Sequence, residues 1–194
     1  MFKIKRLMDF LISLISIVIL SPIIIIISLI VKLTSKGPVF FRQRRTGKDN
    51  VEFYIYKFRT MKIDTPNVAT HLLKDPTAYI TKIGKFLRKT SLDELPQLFN
   101  ILSGKMSIVG PRPSLYNQDD LIKLRTESGV SALVPGLTGW AQVNGRDEIT
   151  ISKKVEFDKD YLENKSLWLD IKIIFLTAFK VLKSEGVQDG KVDK

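Results

Sequence analysis

At 194 residues the chain has room for one compact domain and an anchor, not for two independently folded halves. Its 31 lysines and arginines against 20 acidic residues give a formal charge of +11, which points to anionic lipid headgroups, nucleic acid or phosphate-rich substrates. The lack of cysteine excludes disulfides, thiol nucleophiles and thiolate zinc sites, and with a single His71 any metal is expected to be held by oxygen.

The chain opens on an anchor. Phe10 to Val31 is an uncharged run of 22 residues, mostly Leu, Ile and Val, enough for a membrane helix at about 20 residues per span. It exceeds the roughly 7 to 15 residues of a signal-peptide core, and no small-residue cleavage site follows it. Ser21-Pro22 interrupts the run, because proline removes a helix hydrogen bond and presses its ring against the Val18 carbonyl. Each half, about 11 residues or roughly 16 Å, falls short of a hydrocarbon core of about 30 Å unless the halves stay collinear. A kinked span and a re-entrant helix-break-helix hairpin both fit that pattern. Lys3, Lys5 and Arg6 precede the run and Lys32, Lys36, Arg42, Arg44, Arg45 and Lys48 follow it, so both ends carry the positive charge of cytoplasmic flanks, which favours the hairpin.

Val51 to Arg59 alternates Val51, Phe53 and Ile55 with Glu52, Tyr54 and Tyr56, a short strand whose first face ends in Lys57 and Arg59. Met61 to Ala78 has no period and reads as a loop, with His71 on the surface. From Tyr79, Ile80, Ile83 and Leu87 share a helix face opposite Lys82, Lys85, Arg88 and Lys89, a basic face that suits solvent, anionic lipid or substrate phosphate. Leu95, Leu98, Phe99 and Leu102 form another helical stripe closed by Gly104, with its start between Ser91 and Asp93. Ser91 and Glu94 can be read there as a capping box, but Pro96 then falls at the fifth helical position, whereas a cap at Asp93 puts it at the third.

Gly110-Pro111-Arg112-Pro113 cannot be regular structure and presents Arg112 on a stiff loop. Pro135-Gly136, Gly139 and Asn144-Gly145 mark turns around Trp140, ending in Arg146. Leu167 to Leu182 is an apolar helix, core or interfacial, and Ser184 to Lys194 is a polar tail. The expected fold is α/β or α+β, mainly helical around a small sheet. Its expected parts are a membrane hairpin over 1–36, a catalytic domain over 37–184 and a tail over 185–194.

Asp93 and Glu94 are adjacent carboxylates preceded by Arg88 and Lys89; such a pair can face a divalent cation or an electrophilic phosphorus. An aspartate that attacks phosphorus forms an acyl phosphate, able to pass the phosphoryl group on where water is excluded. Four motifs occur in one order: Tyr56-Lys57-Phe58-Arg59-Thr60-Met61, Ser91-Leu92-Asp93-Glu94-Leu95-Pro96-Gln97-Leu98, Val109-Gly110-Pro111-Arg112-Pro113, and Pro135-Gly136-Leu137-Thr138-Gly139-Trp140-Ala141-Gln142-Val143-Asn144-Gly145-Arg146. With the Ser21-Pro22 break, they make the chain resemble the bacterial monotopic phosphoglycosyl transferases over nearly its whole length.

The resemblance implies ping-pong transfer of a sugar phosphate from a UDP-sugar to a polyprenol (undecaprenyl) phosphate, releasing UMP and starting glycoconjugate assembly. It implies Asp93 as nucleophile and Glu94 as its assistant, with Mg2+ held at Asp93 and Glu94. Arg112 and Arg146 are the leading phosphate-binding cations, followed by Lys57, Arg59 and Arg88. The partners implied are membrane lipids and the two substrates, with no nucleic acid, at the cytoplasmic face of a bacterial inner membrane. Lys48-Asp49-Asn50 stands where relatives often carry another glycine, and Asp147-Glu148 adds negative charge after Arg146; both bear on sugar preference. Two rival readings are a metal-dependent glycosyltransferase using Asp158 and Asp160, which would release UDP, and a basic lipid-binding module in which the acids only cap a helix.

Overall fold

The computed structural model describes residues 2–66, 75–145 and 149–183. The described residues fold as α+β, mostly helical, which agrees with the expected class. Helix α1 spans Phe2–Thr34. Strands β1 (Phe40–Thr46) and β2 (Glu52–Phe58) form an antiparallel hairpin, with Phe40 opposite Phe58 and Thr46 opposite Glu52. Its turn places Asp49 and Asn50 at φ of 52° and 60°, left-handed values that a short polar side chain tolerates where glycine would be the default. A short α2 (Pro76–Tyr79), across the end of the stretch expected to be loop, leads to α3 (Lys82–Lys89) and α4 (Gln97–Leu102). His71 lies outside the described residues. Strand β3 (Ser107–Val109) pairs in parallel with β5 (Gly136–Thr138), and β4 (Ser114–Leu115) adds to the free edge of β1. Helices α5 (Asp119–Glu127), α6 (Trp140–Asn144), α7 (Ile151–Asn164) and α8 (Leu167–Lys183) complete the domain.

Helix α1 is long and apolar enough to cross a membrane, the one such helix among the described residues. It differs from the expected helix-break-helix, because Pro22 sits inside a single helix. Ser21 explains this: its hydroxyl donates to the Val18 carbonyl at 2.8 Å, the acceptor that Pro22 has no N–H to satisfy. The helix also docks on the domain along its length. Lys5 Nζ lies 2.6 Å from Asp170 Oδ2, and Arg6 donates to the Ile101 and Leu102 carbonyls at the end of α4. Buried Asp9 accepts from Ser107 Oγ and from the Ile108 amide. Further along, Ile17 and Leu20 pack on Phe53, Ile55, Leu98, Ile101 and Met106, while Ile24, Ile27 and Val31 pack with Phe58 and Leu87. Its other face, with Ile15, Val18, Ile19, Ile25 and Leu29, stays exposed.

Helix α8 is core on one face and surface on the other. Ile173 is fully buried against Val109, Val143 and Tyr161, whereas Trp168, Phe175 and Phe179 are exposed, so one face is core and the other a second apolar surface. The Gly-rich stretch around Trp140 is more ordered than turns alone, since it supplies β5 and α6. Glycine is needed there for close approach. A Cβ on Gly136 would fall 2.1 Å from the Gly110 nitrogen, and one on Gly139 2.1 Å from the Gly110 carbonyl oxygen.

Candidate active site

The segment carrying the two acids is neither of the helix starts considered from the sequence. Ser91 adopts a left-handed conformation, φ 56°, and makes no side-chain cap. Leu92–Glu94 is one 3-10 turn, and α4 begins only after Pro96, which occupies its N-cap because it has no N–H to give and its φ is preset. With three residues per turn, Leu92 and Leu95 fall on one side and enter the core, which turns Asp93 and Glu94 together to the other side. The carboxylates are therefore not spent on capping. A left-handed serine two residues before an aspartate is the sort of backbone cost that accompanies functional sites.

Three elements bring cations to these acids. Strand β2 delivers Lys57, whose Nζ lies 2.6 Å from Glu94 Oε1 and 4.0 Å from Asp93 Oδ2. The spacing between β2 and α4 is set by buried Asn100, which donates to the Tyr54 carbonyl at 2.7 Å and accepts from the Tyr56 amide at 3.1 Å. The loop after β3 delivers Arg112, with Nη2 2.8 Å from the same Glu94 oxygen. Helix α3 delivers Arg88, which bonds Thr60 Oγ1 and Met61 Sδ and still acts electrostatically on Asp93.

Arg59 goes elsewhere. It follows the end of β2, and its guanidinium is buried against the end of α1, donating to the Ser35 and Lys36 carbonyls and to Ser35 Oγ. Lys57 and Arg59 thus have different partners despite their matched position in the strand pattern. Arg146 lies outside the described residues, as do Asp147 and Glu148.

The two carboxylates are in opposite electrostatic states. Burial works against ionisation of Glu94, yet the Arg112 and Lys57 charges and hydrogen bonds outweigh it and hold Glu94 well below the usual carboxylate range. Asp93 is raised, first by burial, with Glu94 adding to it and Lys57, Arg88 and Arg112 opposing. A more basic carboxylate is a better nucleophile and must lose its proton before it can attack. Lys57→Met removes the leading charge that favours ionised Asp93, so the acid limb of the kcat/KM profile should move to higher pH, with turnover at neutral pH falling about tenfold or more. An acid limb that stays in place would rule out this coupling.

Magnesium is ordinarily held by one or two carboxylates, with substrate phosphate and water filling the octahedron. Asp93 and Glu94 supply two adjacent carboxylates of that kind, and no cluster of three or more His, Asp or Glu that could hold a metal occurs among the described residues, so the remaining donors would have to come from substrate phosphate and water.

The alternative centre at Asp158 and Asp160 does not form. Asp158 is 1 % exposed and bonded to Arg125, while Asp160 accepts from Trp140 Nε1 at 2.6 Å and from Asn164. Two residues apart on α7, they serve different neighbours. Sequence reasoning missed Asn100, Asp9 and Arg125. Asn100 left a signal, an amide between Phe99 and Ile101 in an apolar stripe; Arg125 left none, in a helix of mixed charge.

Known proteins resemble this chain along most of its length. Residues 1–184 match the family described as bacterial sugar transferase. The chain is 46% identical over 187 residues to a UDP-glucose:undecaprenyl-phosphate glucose-1-phosphate transferase of Xanthomonas campestris pv. campestris, covering 92% of this chain and 38% of that protein. It is 39% identical over 190 residues to a UDP-N-acetylgalactosamine-undecaprenyl-phosphate N-acetylgalactosaminephosphotransferase of Aeromonas hydrophila, covering 95% and 45%. An uncharacterized sugar transferase, EpsL, of Bacillus subtilis (strain 168) is 45% identical over 186 residues, covering 95% and 90%. The chain thus spans less than half of the first two relatives and most of the third. Matched along nearly all its described residues, the chain belongs to the bacterial sugar transferase family.

Proposed function

We propose that the chain transfers a phosphosugar from a UDP-sugar to undecaprenyl or another polyprenol phosphate through a covalent intermediate on Asp93. The observation that carries this reading is the buried Asp93, raised in pKa, beside a Glu94 that Lys57 and Arg112 keep ionised. In the first half-reaction an Asp93 oxygen bonds the sugar-bearing phosphorus, the bond from that phosphorus to the bridging oxygen breaks, and UMP leaves with the electron pair. In the second, an oxygen of the polyprenol phosphate bonds the same phosphorus and the Asp93 oxygen leaves, restoring the carboxylate. Lys57 and Arg112 offset the charge of the diphosphate, which otherwise repels the nucleophile. Arg88 lowers the cost of ionising Asp93. Mg2+ at Asp93 and Glu94 would supply further neutralisation of the diphosphate and of the departing phosphate.

The second substrate is a lipid, and the exposed apolar faces of α1 and α8 would place the site at a bilayer. Helix α1 would keep both of its ends on the cytoplasmic face of the inner membrane, with its exposed apolar face turned to the lipid. Lys5, Arg6 and Asp9 at one end and Ser35 and Lys36 at the other are all bonded to the same domain, which holds both ends on one side. The chain has no native cysteine, so Lys3→Cys and Lys36→Cys can be labelled singly in sealed vesicles. Both should react from the cytoplasmic side, and opposite-side labelling would instead show a spanning helix.

The reaction is tested by incubating the purified protein with magnesium and a panel of UDP-sugars, without lipid acceptor. Mass spectrometry should find a sugar phosphate on Asp93 with release of UMP. Release of UDP, or an unmodified Asp93 with every donor, would sink the covalent route.

A further inference from the structure

Arg112 sits between two prolines, so the loop 110–113 lacks two of the amide donors by which a loop is ordinarily tied down. Its carbonyls do that work. The Pro111 carbonyl accepts from the Gly136 amide at 2.9 Å, the Arg112 carbonyl from Arg125 Nη1 at 2.8 Å, and the Pro113 carbonyl from Arg45 Nη1 at 3.0 Å. The middle bond holds the residue whose side chain reaches Glu94.

Its donor is itself fixed. Arg125, on α5, is 7 % exposed, and its Nε and Nη2 bond Asp158 Oδ2, on α7, at 2.9 and 2.6 Å. A buried ion pair of this kind contributes little net stability, because desolvation offsets the attraction. What it does supply is direction. The guanidinium is a rigid planar fork, so fixing Nε and Nη2 on one carboxylate also fixes where Nη1 points. A lysine at the same place has one nitrogen and no plane to transmit.

We propose that Arg125, oriented by Asp158, is a positioning residue for Arg112: it fixes the main chain of the Pro-Arg-Pro loop so that the Arg112 guanidinium stays aimed at Glu94 and the donor diphosphate. Helix α7 is thereby joined to the reaction through Asp158, Arg125, the Arg112 backbone and Glu94. The inference rests on the reading of Arg112 as a donor-phosphate ligand.

Calorimetric binding of UDP, with magnesium present, tests it on the purified chain. Arg125→Lys should weaken UDP about tenfold in the otherwise unchanged protein and less than about twofold in an Arg112→Ala background, since neighbouring residues that act through one another are non-additive. Asp158→Asn, close in shape, should show the same pattern at about threefold, and it carries the comparison if Arg125→Lys does not fold by thermal melt. Equal losses in both backgrounds would reduce the pair to a general structural support, and an unchanged UDP affinity would remove its role altogether; either result overturns the proposal. If Arg112→Ala alone leaves UDP affinity intact, the donor-site reading of Arg112 is what has failed, and this inference falls with it.

Discussion

Asp93→Asn is expected to cut turnover by at least about 10^4-fold, the scale of loss seen when a covalent nucleophile is removed, and to abolish the sugar-phosphate adduct. The amide keeps the shape of the side chain, but its oxygen cannot form a stable acyl phosphate. The fold should be unaffected or slightly stabilised, because burial already penalises the charge on Asp93. Glu94 keeps its ion pairs to Lys57 and Arg112, so the cationic surface facing the diphosphate remains. UDP binding measured without magnesium and the thermal midpoint should therefore stay close to those of the unchanged protein while UMP release disappears. That combination separates an enzyme from a basic lipid-binding module, in which nothing would be lost. Residual turnover within about tenfold would assign the nucleophile to another group.

Gly136→Ala should be a strongly damaging single methyl addition near the site. The new Cβ would meet the Gly110 nitrogen at 2.1 Å, the Thr138 carbonyl oxygen at 2.4 Å and the Gly110 carbonyl oxygen at 2.6 Å. All three are backbone atoms, so no flexible side chain can move aside. To relieve the overlap, the chain at Gly110 must part from β5 and β5 itself must bend between Gly136 and Thr138, at a cost of about 3 kcal/mol or more, or a midpoint lower by roughly 6 to 12 °C in a domain of this size. The same separation would break the bonds from the Gly110 amide to the Thr138 carbonyl and from the Gly136 amide to the Pro111 carbonyl. Arg112 would lose its seat, so UDP affinity should fall even in the fraction that stays folded. A variant whose midpoint and UDP affinity both match the unchanged protein would refute this packing account.

Much of the molecule follows from local pattern. The length and apolarity of α1, the alternation that makes β2, the Gly104 stop of α4 and the stiffness of Pro-Arg-Pro are all decided within a few residues, where period, proline and glycine act directly. The acids at Asp93 and Glu94 and the cations Lys57, Arg88 and Arg112 were legible as candidates for the same reason. Their division of labour was not, because it depends on which elements pack together. Arg59 turns to the end of α1 while Lys57 turns to Glu94, and that choice is made by the docking of α1 on β2. The helix start is not legible locally because Ser91 takes a left-handed conformation that no local propensity favours, one that accompanies Leu92 and Leu95 in the core.

The anchor shows the same division. Its apolar run and flanking charges are properties of the sequence, and so is the proline that denies Val18 a donor. Whether that proline ends the helix was decided by a hydroxyl one residue away and by the packing of Ile17, Leu20 and Ile24 on the domain. Asp9, Asn100 and Arg125 have partners 99, 46 and 33 residues away. Sequence by itself determined the elements and the reactive groups, since those rest on local geometry and side-chain chemistry; only the tertiary structure decided which carboxylate is held ionised and which is raised, since that depends on charges brought together from distant parts of the chain.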